Sequence, residues 1–171
     1  ADCLAEERPT LGQVPKDTAL LIDGTLLPCW RWKAEKTLFS GKHRHSGVNV
    51  QVITDTHGRL QWISPILEGS IHDVKAFDTH KILRHLKARN IIADKGYIGR
   101  GLHTPARAQP GRKLTGPEKD HNQRINHIRW PIERAIAHLK TWRILHTIYR
   151  RPYSTFQTTV NAITGIIFGI L

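Results

Sequence analysis

The sequence predicts one α/β domain built on a central mixed β-sheet flanked by helices. Three observations lead there. Residues 19–22 and 90–93 are apolar runs of buried-strand length, each ending at an aspartate. Residues 45–54 and 59–67 bracket the turn Asp55-Thr56-His57-Gly58 and read as a β-hairpin. Residues 118–142 carry apolar side chains at helical spacing. A chain of 171 residues can bury one sizeable core, and no internal repeat is visible.

The elements follow in order. Residues 1–17 are polar, with Pro9, Gly12 and Pro15, and read as a leader or linker, leaving 18–171 as the domain. The strand at 19–22 is expected to stop at Asp23-Gly24, because Asp and Gly favour turns. Residues 26–41 mix Trp30, Trp32, Lys33 and Lys36 around Pro28 and read as an irregular excursion. In the hairpin, Val48, Val50 and Val52 alternate with polar Asn49 and Gln51. A helix is predicted over 70–89, with Ser70 as N-cap and Val74, Phe77, Ile82, Leu83 and Leu86 on its apolar side. The strand at 90–93 ends at Asp94, and residues 96–117 hold six glycines or prolines before Gly116-Pro117, a basic loop region. The helix over 118–142 puts Ile125, Ile128, Ile132, Ile136 and Leu139 on one stripe. Residues 144–149 suit a strand or a helix end, and 155–171 an apolar packing helix that contains Gly165 and Gly169.

Composition excludes several classes. Hydrophobic residues make up 39% and charged residues 23%, an ordinary globular balance. Two cysteines, Cys3 and Cys29, cannot build a disulfide framework and suit a reducing compartment. The apolar run 160–171 is about half of the roughly 20 residues that span a bilayer, so no membrane is expected. The charge is more telling. Lys and Arg number 26 against 14 Asp and Glu. The excess is concentrated, since residues 81–151 hold 17 basic and 4 acidic side chains, whereas 1–80 hold 9 and 10. Such a block attracts polyanions through counterion release, which points to nucleic acid rather than a merely solubilising surface.

Asp23 and Asp94 directly follow short apolar strands, and the ends of adjacent parallel strands are where open α/β sheets place ligands. Two carboxylates there can share Mg²⁺ or Mn²⁺, hard ions that prefer oxygen. Glu133, on the following helix, is the candidate third acid. A pair of metals about 4 Å apart activates the attacking oxygen and stabilises the leaving one in phosphoryl transfer. The plainer readings are turn chemistry at Asp23-Gly24 and Asp94-Lys95-Gly96, and an ion pair of Glu133 with Arg129, or a first-turn position after Pro131.

The segments "LLIDGTLL", "FSGKHRHSGVNVQVITDTHGRLQWISPILEGSIHDVKAF", "IIADKGYIG" and "HNQRINHIRWPIERAIAHLKTWRIL" together resemble the catalytic domain of DDE-superfamily insertion-sequence transposases, the IS-five type related to Harbinger elements. The resemblance covers roughly residues 18–171. It implies an RNase H-like fold, with Asp23, Asp94 and Glu133 as catalytic acids and ligands of two Mg²⁺ or Mn²⁺ ions. It also implies double-stranded DNA as partner, at element ends and target, possible homo-oligomers and a bacterial cytoplasmic, nucleoid-associated setting. Arg129 and Lys140 match the basic positions flanking the family's glutamate and are implied to grip DNA. Lys95, beside Asp94, joins them as a candidate DNA contact. Related transposases often carry a Tyr where this chain has Asn126, and complete members usually carry a helix-turn-helix domain before the first catalytic strand, where it has residues 1–17. The competing reading is therefore an inactive or truncated remnant that only binds DNA or a partner.

Other residues complete the survey. Asp73 is the rival second acid, near a helix start where an acid suits the dipole, with His72 beside it as a group to orient a carboxylate or water. Arg100, Arg107, Arg112 and Lys113 in the glycine- and proline-rich loop are candidate DNA contacts. Trp30, Trp32 and Trp62 can stack on bases or pack in the core. His43, His45 and Cys29 lack a fourth ligand for zinc.

Overall fold

A computed structural model describes residues 8–31 and 36–170. It is a mixed α/β fold with a six-stranded curled sheet. The strands are β1 (Leu20–Pro28), β2 (Phe39–Ser40), β3 (His45–Asp55), β4 (Leu60–Ile63), β5 (Leu67–Glu68) and β6 (Ile91–Ile92). Helix α1 spans Asp73–Thr79, α2 Gly116–Leu139, α3 Arg143–His146 and α4 Phe156–Ile170.

β1 is the shared strand. It runs antiparallel to β3 from Leu20↔Asp55 to Pro28↔Gly47 and parallel to β6 on its other edge. The expected turn at Asp23-Gly24 is therefore absent: both residues lie inside a nine-residue strand. Uninterrupted pairing with the eleven-residue β3 overrides the local preference of Asp-Gly. The expected irregular excursion likewise begins only after Pro28, and Cys29 still bridges Tyr149. Trp32 and Lys33 lie outside the described residues.

Three short strands tile the outer edge of β3: β2 at His45 and Ser46, β5 at Val48 and Asn49, β4 from Val52 to Thr54. The second hairpin strand breaks between β4 and β5 because Pro65 has no N–H for the ladder. Ser64 replaces the pairing, accepting from Gln51 N at 2.9 Å through Oγ and donating its own N–H to Gln51 O at 2.9 Å.

Helices cover both faces. Val48, Val50 and Val52 of β3 pack with Leu27, Leu139, Leu145, Phe156, Val160 and Ile163, the core under α2, α3 and α4. Leu20, Ile22 and Ile53 face the opposite side, with Phe77, Ile82, Leu86, Ile91, Ala93 and Tyr97. Leu11 and Val14 join this second core, so that part of the expected leader packs onto the domain. The single helix expected over 70–89 is three pieces: α1, capped by His72 rather than Ser70, and 3₁₀ turns at Ile82–Arg84 and Ala88–Asn90. Lys81 takes a left-handed conformation, φ 53°. That reversal lets Ile82 and Leu86 turn back into the core, which a straight helix would not allow.

α2 begins earlier than expected, at Gly116, behind a capping box of Thr115 and Glu118. Pro131 sits inside it rather than at a first turn, and the helix continues on both sides. Residues 143–146 resolve as helix, and the apolar C-terminal helix forms as predicted. Gly69 marks the tightest crossing of the sheet edge: a Cβ there would strike the backbone oxygens of Gly47 and Leu38, whereas one at Gly41 meets open space. Gly69→Ala is expected to cost about 2 kcal/mol by overpacking and Gly41→Ala less than about 0.5 kcal/mol, compared by urea denaturation.

Candidate active site

The parallel pairing of β1 with β6 sets Leu20 level with Ile91 and Leu21 level with Ile92. Continued two residues further, the register brings Asp23 level with Asp94. Leu20 and Ile22 face the α1 side, so the alternation along β1 turns the Asp23 carboxylate to the α2 side, while Asp94 follows β6 by two residues and its charge acts on Asp23. Asp23 Oδ1 accepts the Gly24 N–H at 2.8 Å. Asp94 Oδ1 accepts the Gly96 N–H at 2.7 Å, capping a 3₁₀ turn over Lys95–Tyr97.

α2 supplies the countercharge. Arg129 Nη2 donates to Asp23 Oδ2 at 3.0 Å, and the two side chains are only 8% and 19% exposed. Burial is the larger influence on Asp23. It pushes the carboxyl up to about 6, against the pull of Arg129, while Asp94 and, more weakly, Asp73 raise it further. Arg129 Nε is buried without an acceptor. The expected pairing of Arg129 with Glu133 is thus replaced by a long-range one with β1.

Asp73, at the start of α1, lies within Coulombic range of Asp23. Its Oδ1 accepts from Asn49 Nδ2 at 2.9 Å and its Oδ2 from Lys42 Nζ at 2.7 Å. A Cβ on Gly24 would collide with this carboxylate, so β1 needs glycine next to Asp23. Burial disfavours the charge of Lys42, but Asp73, with Asp94 and Asp23 behind it, raises its pKa overall.

Glu133 is exposed on α2, one turn beyond Arg129. Among the described residues, no three Asp, Glu, His or Cys side chains are gathered closely enough to hold a metal ion. Helical geometry nevertheless puts Glu133, Ile136 and Lys140, at offsets of 4, 7 and 11 from Arg129, within an arc of about 60°. Lys140 caps α2, half-buried, and lies within Coulombic range of His43.

A family model described as a DDE superfamily endonuclease matches residues 22–169, from the centre of β1 to the end of α4. The chain belongs to the DDE superfamily endonucleases. Among its relatives is a protein of Microchaete diplosiphon named as a transposase for insertion sequence element IS702, 29% identical over 95% of this chain and 61% of its own length. Another, of Streptomyces albus G, is named as a transposase for insertion sequence element IS112, 33% identical over 76% of this chain and 50% of its own. The chain thus spans between half and three-fifths of these relatives. No solved structure matches it.

The basic residues of this DDE endonuclease domain divide into two kinds. Arg100 is held by Asp78 through Nε at 2.8 Å and Nη2 at 2.6 Å, and Arg112 by Glu118 at 2.6 Å. Lys95, Arg107 and Lys113 are exposed and make no ion pair among the described residues. His72 is exposed at the N-cap of α1 with no capping bond from its ring. Trp62 is core, Trp30 is exposed beneath the Arg150 guanidinium, and no helix is long and apolar enough to cross a membrane among the described residues. Cys29 is buried, which pushes its thiol up to about 11.

The stretch 41–47, which contains Lys42, reads in the sequence as a DNA-contacting or surface segment, but sequence reasoning missed Asn49, Gln51 and Tyr97. The signal for Asn49 and Gln51 was the polar half of the β3 alternation, which reads as a solvent face unless both faces of the sheet are known to be covered.

Because the folded pKa of Asp23 lies above its ordinary value of 3.8, the stability it contributes is full below that pH and lost as pH rises through about 6. In chelator-containing buffer, the wild type should lose about 2 kcal/mol between pH 4 and pH 7 relative to Asp23→Asn. Urea titrations at the two pH values measure this, and parallel losses in both proteins would contradict it.

Proposed function

We propose that this domain is an RNase H-like DNA transposase and endonuclease that cleaves phosphodiester bonds at element ends and joins the freed 3′-hydroxyl to target DNA. The observation that carries the reading is the approach of Asp94, two residues past the end of β6, to Asp23 inside β1, close enough for its charge to act on Asp23, with Arg129 against Asp23. Strand order β2-β3-β1-β6, with one parallel edge beside antiparallel strands, supports the fold assignment.

The donor set fits hard divalent cations, Mg²⁺ or Mn²⁺. Asp23 and Asp94 offer carboxylate oxygens, and burial beside other carboxylates makes the charge of Asp23 costly unless a cation accompanies it. Asp23 and Asp94 would hold two such ions, with Glu133 ligating one. When bound, the ions activate the attacking oxygen and stabilise the leaving one. The protein's own part is positioning and charge neutralisation, which dominate phosphoryl transfer. Arg129 fixes the rotamer of Asp23 from the helix side. Lys140, Lys95 and the loop residues Arg100, Arg112 and Lys113 would neutralise backbone phosphates, Lys95 and Lys113 being free of acid partners among the described residues, whereas the buried Arg129 is committed to Asp23 rather than to DNA.

The exposed position of Glu133 on α2 favours a second reading, a remnant that binds DNA without cutting it. One experiment separates the two. The chain is incubated with supercoiled plasmid with and without Mn²⁺, beside an Asp23→Ala/Asp94→Ala double variant. Metal-dependent nicking lost in the variant supports the enzyme, and binding without nicking supports the remnant. Asp94→Asn alone should abolish nicking while leaving DNA affinity unchanged or raised. A variant that still cuts removes Asp94 from the site.

A further inference from the structure

We propose that Lys42 is a phosphate-binding residue of the catalytic cleft, fixed there by Asp73, and that the buried chain Tyr97–Gln51–Asn49 exists to position that carboxylate. The inference rests on the proposed DNA-cutting role of the neighbouring Asp23 and Asp94.

The chain of bonds has one direction. Tyr97 Oη donates to Gln51 Oε1 at 2.6 Å, Gln51 Nε2 donates to Asn49 Oδ1 at 3.0 Å, and Asn49 Nδ2 donates to Asp73 Oδ1 at 2.9 Å. A second Asn49 bond, to Ile71 O at 3.2 Å, ties the same amide to the segment that leads into α1. Tyr97 and Gln51 are fully buried and Asn49 nearly so. Apolar side chains would fill this space at less desolvation cost, so the polar chain calls for a reason beyond stability.

That reason lies at its outer end. Lys42 is 53% exposed, and an ion pair so open to solvent adds little to stability. Both Asp73 oxygens are engaged, one by Asn49 and one by Lys42. Asp73 therefore acts as a positioning residue rather than a free ligand. The ammonium of Lys42 has three N–H groups and gives one to Asp73, and no other acceptor is found for it among the described residues. Asp94 and Asp23 act on this ammonium as well as Asp73, so its charge stands beside the three carboxylates, where an approaching phosphate most needs a fixed positive charge. Lys140 and His43 flank the same rim.

The test is equilibrium binding of the full chain to a fluorescein-labelled duplex in EDTA, across a salt series, with plasmid nicking in Mn²⁺ run in parallel. Lys42→Ala should lower the slope of log K against log salt by about one, the loss of one phosphate contact, and Lys42→Arg should restore most of it. Asn49→Leu and the milder Tyr97→Phe leave the net charge unchanged, so they should lower the slope only if the chain positions Lys42. Added to Lys42→Ala, they should lower it no further. An unchanged slope in Lys42→Ala overturns the phosphate contact. A lowered slope in Lys42→Ala, with wild-type slopes in folded Asn49→Leu and Tyr97→Phe, overturns the positioning role. Absence of nicking in the wild type, with these slopes as expected, removes the cutting function and leaves the phosphate contact standing.

Discussion

The contact between Arg129 and Asp23 holds the two halves of the molecule in register. It joins the middle of α2 to the middle of β1 across 106 residues of sequence, in surroundings that exclude most water. Buried ion pairs seldom repay their desolvation in full, but breaking one leaves a lone buried charge at a cost of about 3–5 kcal/mol. Here burial still outweighs the guanidinium, since Asp23 remains raised. The pair therefore fixes geometry more than it stabilises. The turn after β3 approaches α2 from the other side, where Gly58, at φ 86°, sits against Pro131. A side chain at Gly58 would meet the Pro131 carbonyl and adopt a strained backbone.

Everything around the cleft follows from having both sheet faces covered. α2 and α4 claim the valine face of β3, and α1 claims the other. Asn49 and Gln51 can then find no water and must satisfy one another. Tyr97 lends an apolar ring to the core, edge-on to Phe77 at 5.8 Å, and a hydroxyl to the polar chain. One residue thus serves both the packing and the wiring of the site.

The sequence made the periodic parts legible. The valines of β3, the apolar α4 and the stripe of α2 follow from spacing, except that Ile128 of that stripe is exposed, and Asp23 and Asp94 stand out because short apolar strands lead into them. Local rules failed where long-range pairing decided the outcome. Asp23-Gly24 has turn chemistry but sits opposite Val52 and Gln51 in an unbroken ladder. The helix expected over 70–89 satisfies the apolar count, yet Ile82 and Leu86 reach the core only through the reversal at Lys81, and Leu83 is left exposed. At the site, Arg129 could be assigned to the family's basic position, but not to Asp23, because nothing local connects a helix residue with a strand so far away.

The pairing of β1 with β6 is two residues long and joins positions about seventy apart in the chain. Closing a loop of that size costs entropy that two ladder positions cannot offset by themselves, so it waits on the α1-side core that fills the space between. In folding, the hairpin and the helices can form from nearby partners, while the two carboxylates meet only once nearly the whole domain has condensed. A partly folded chain would carry the basic surface without the assembled acids. The paired acids would thus be the last part of the domain to assemble.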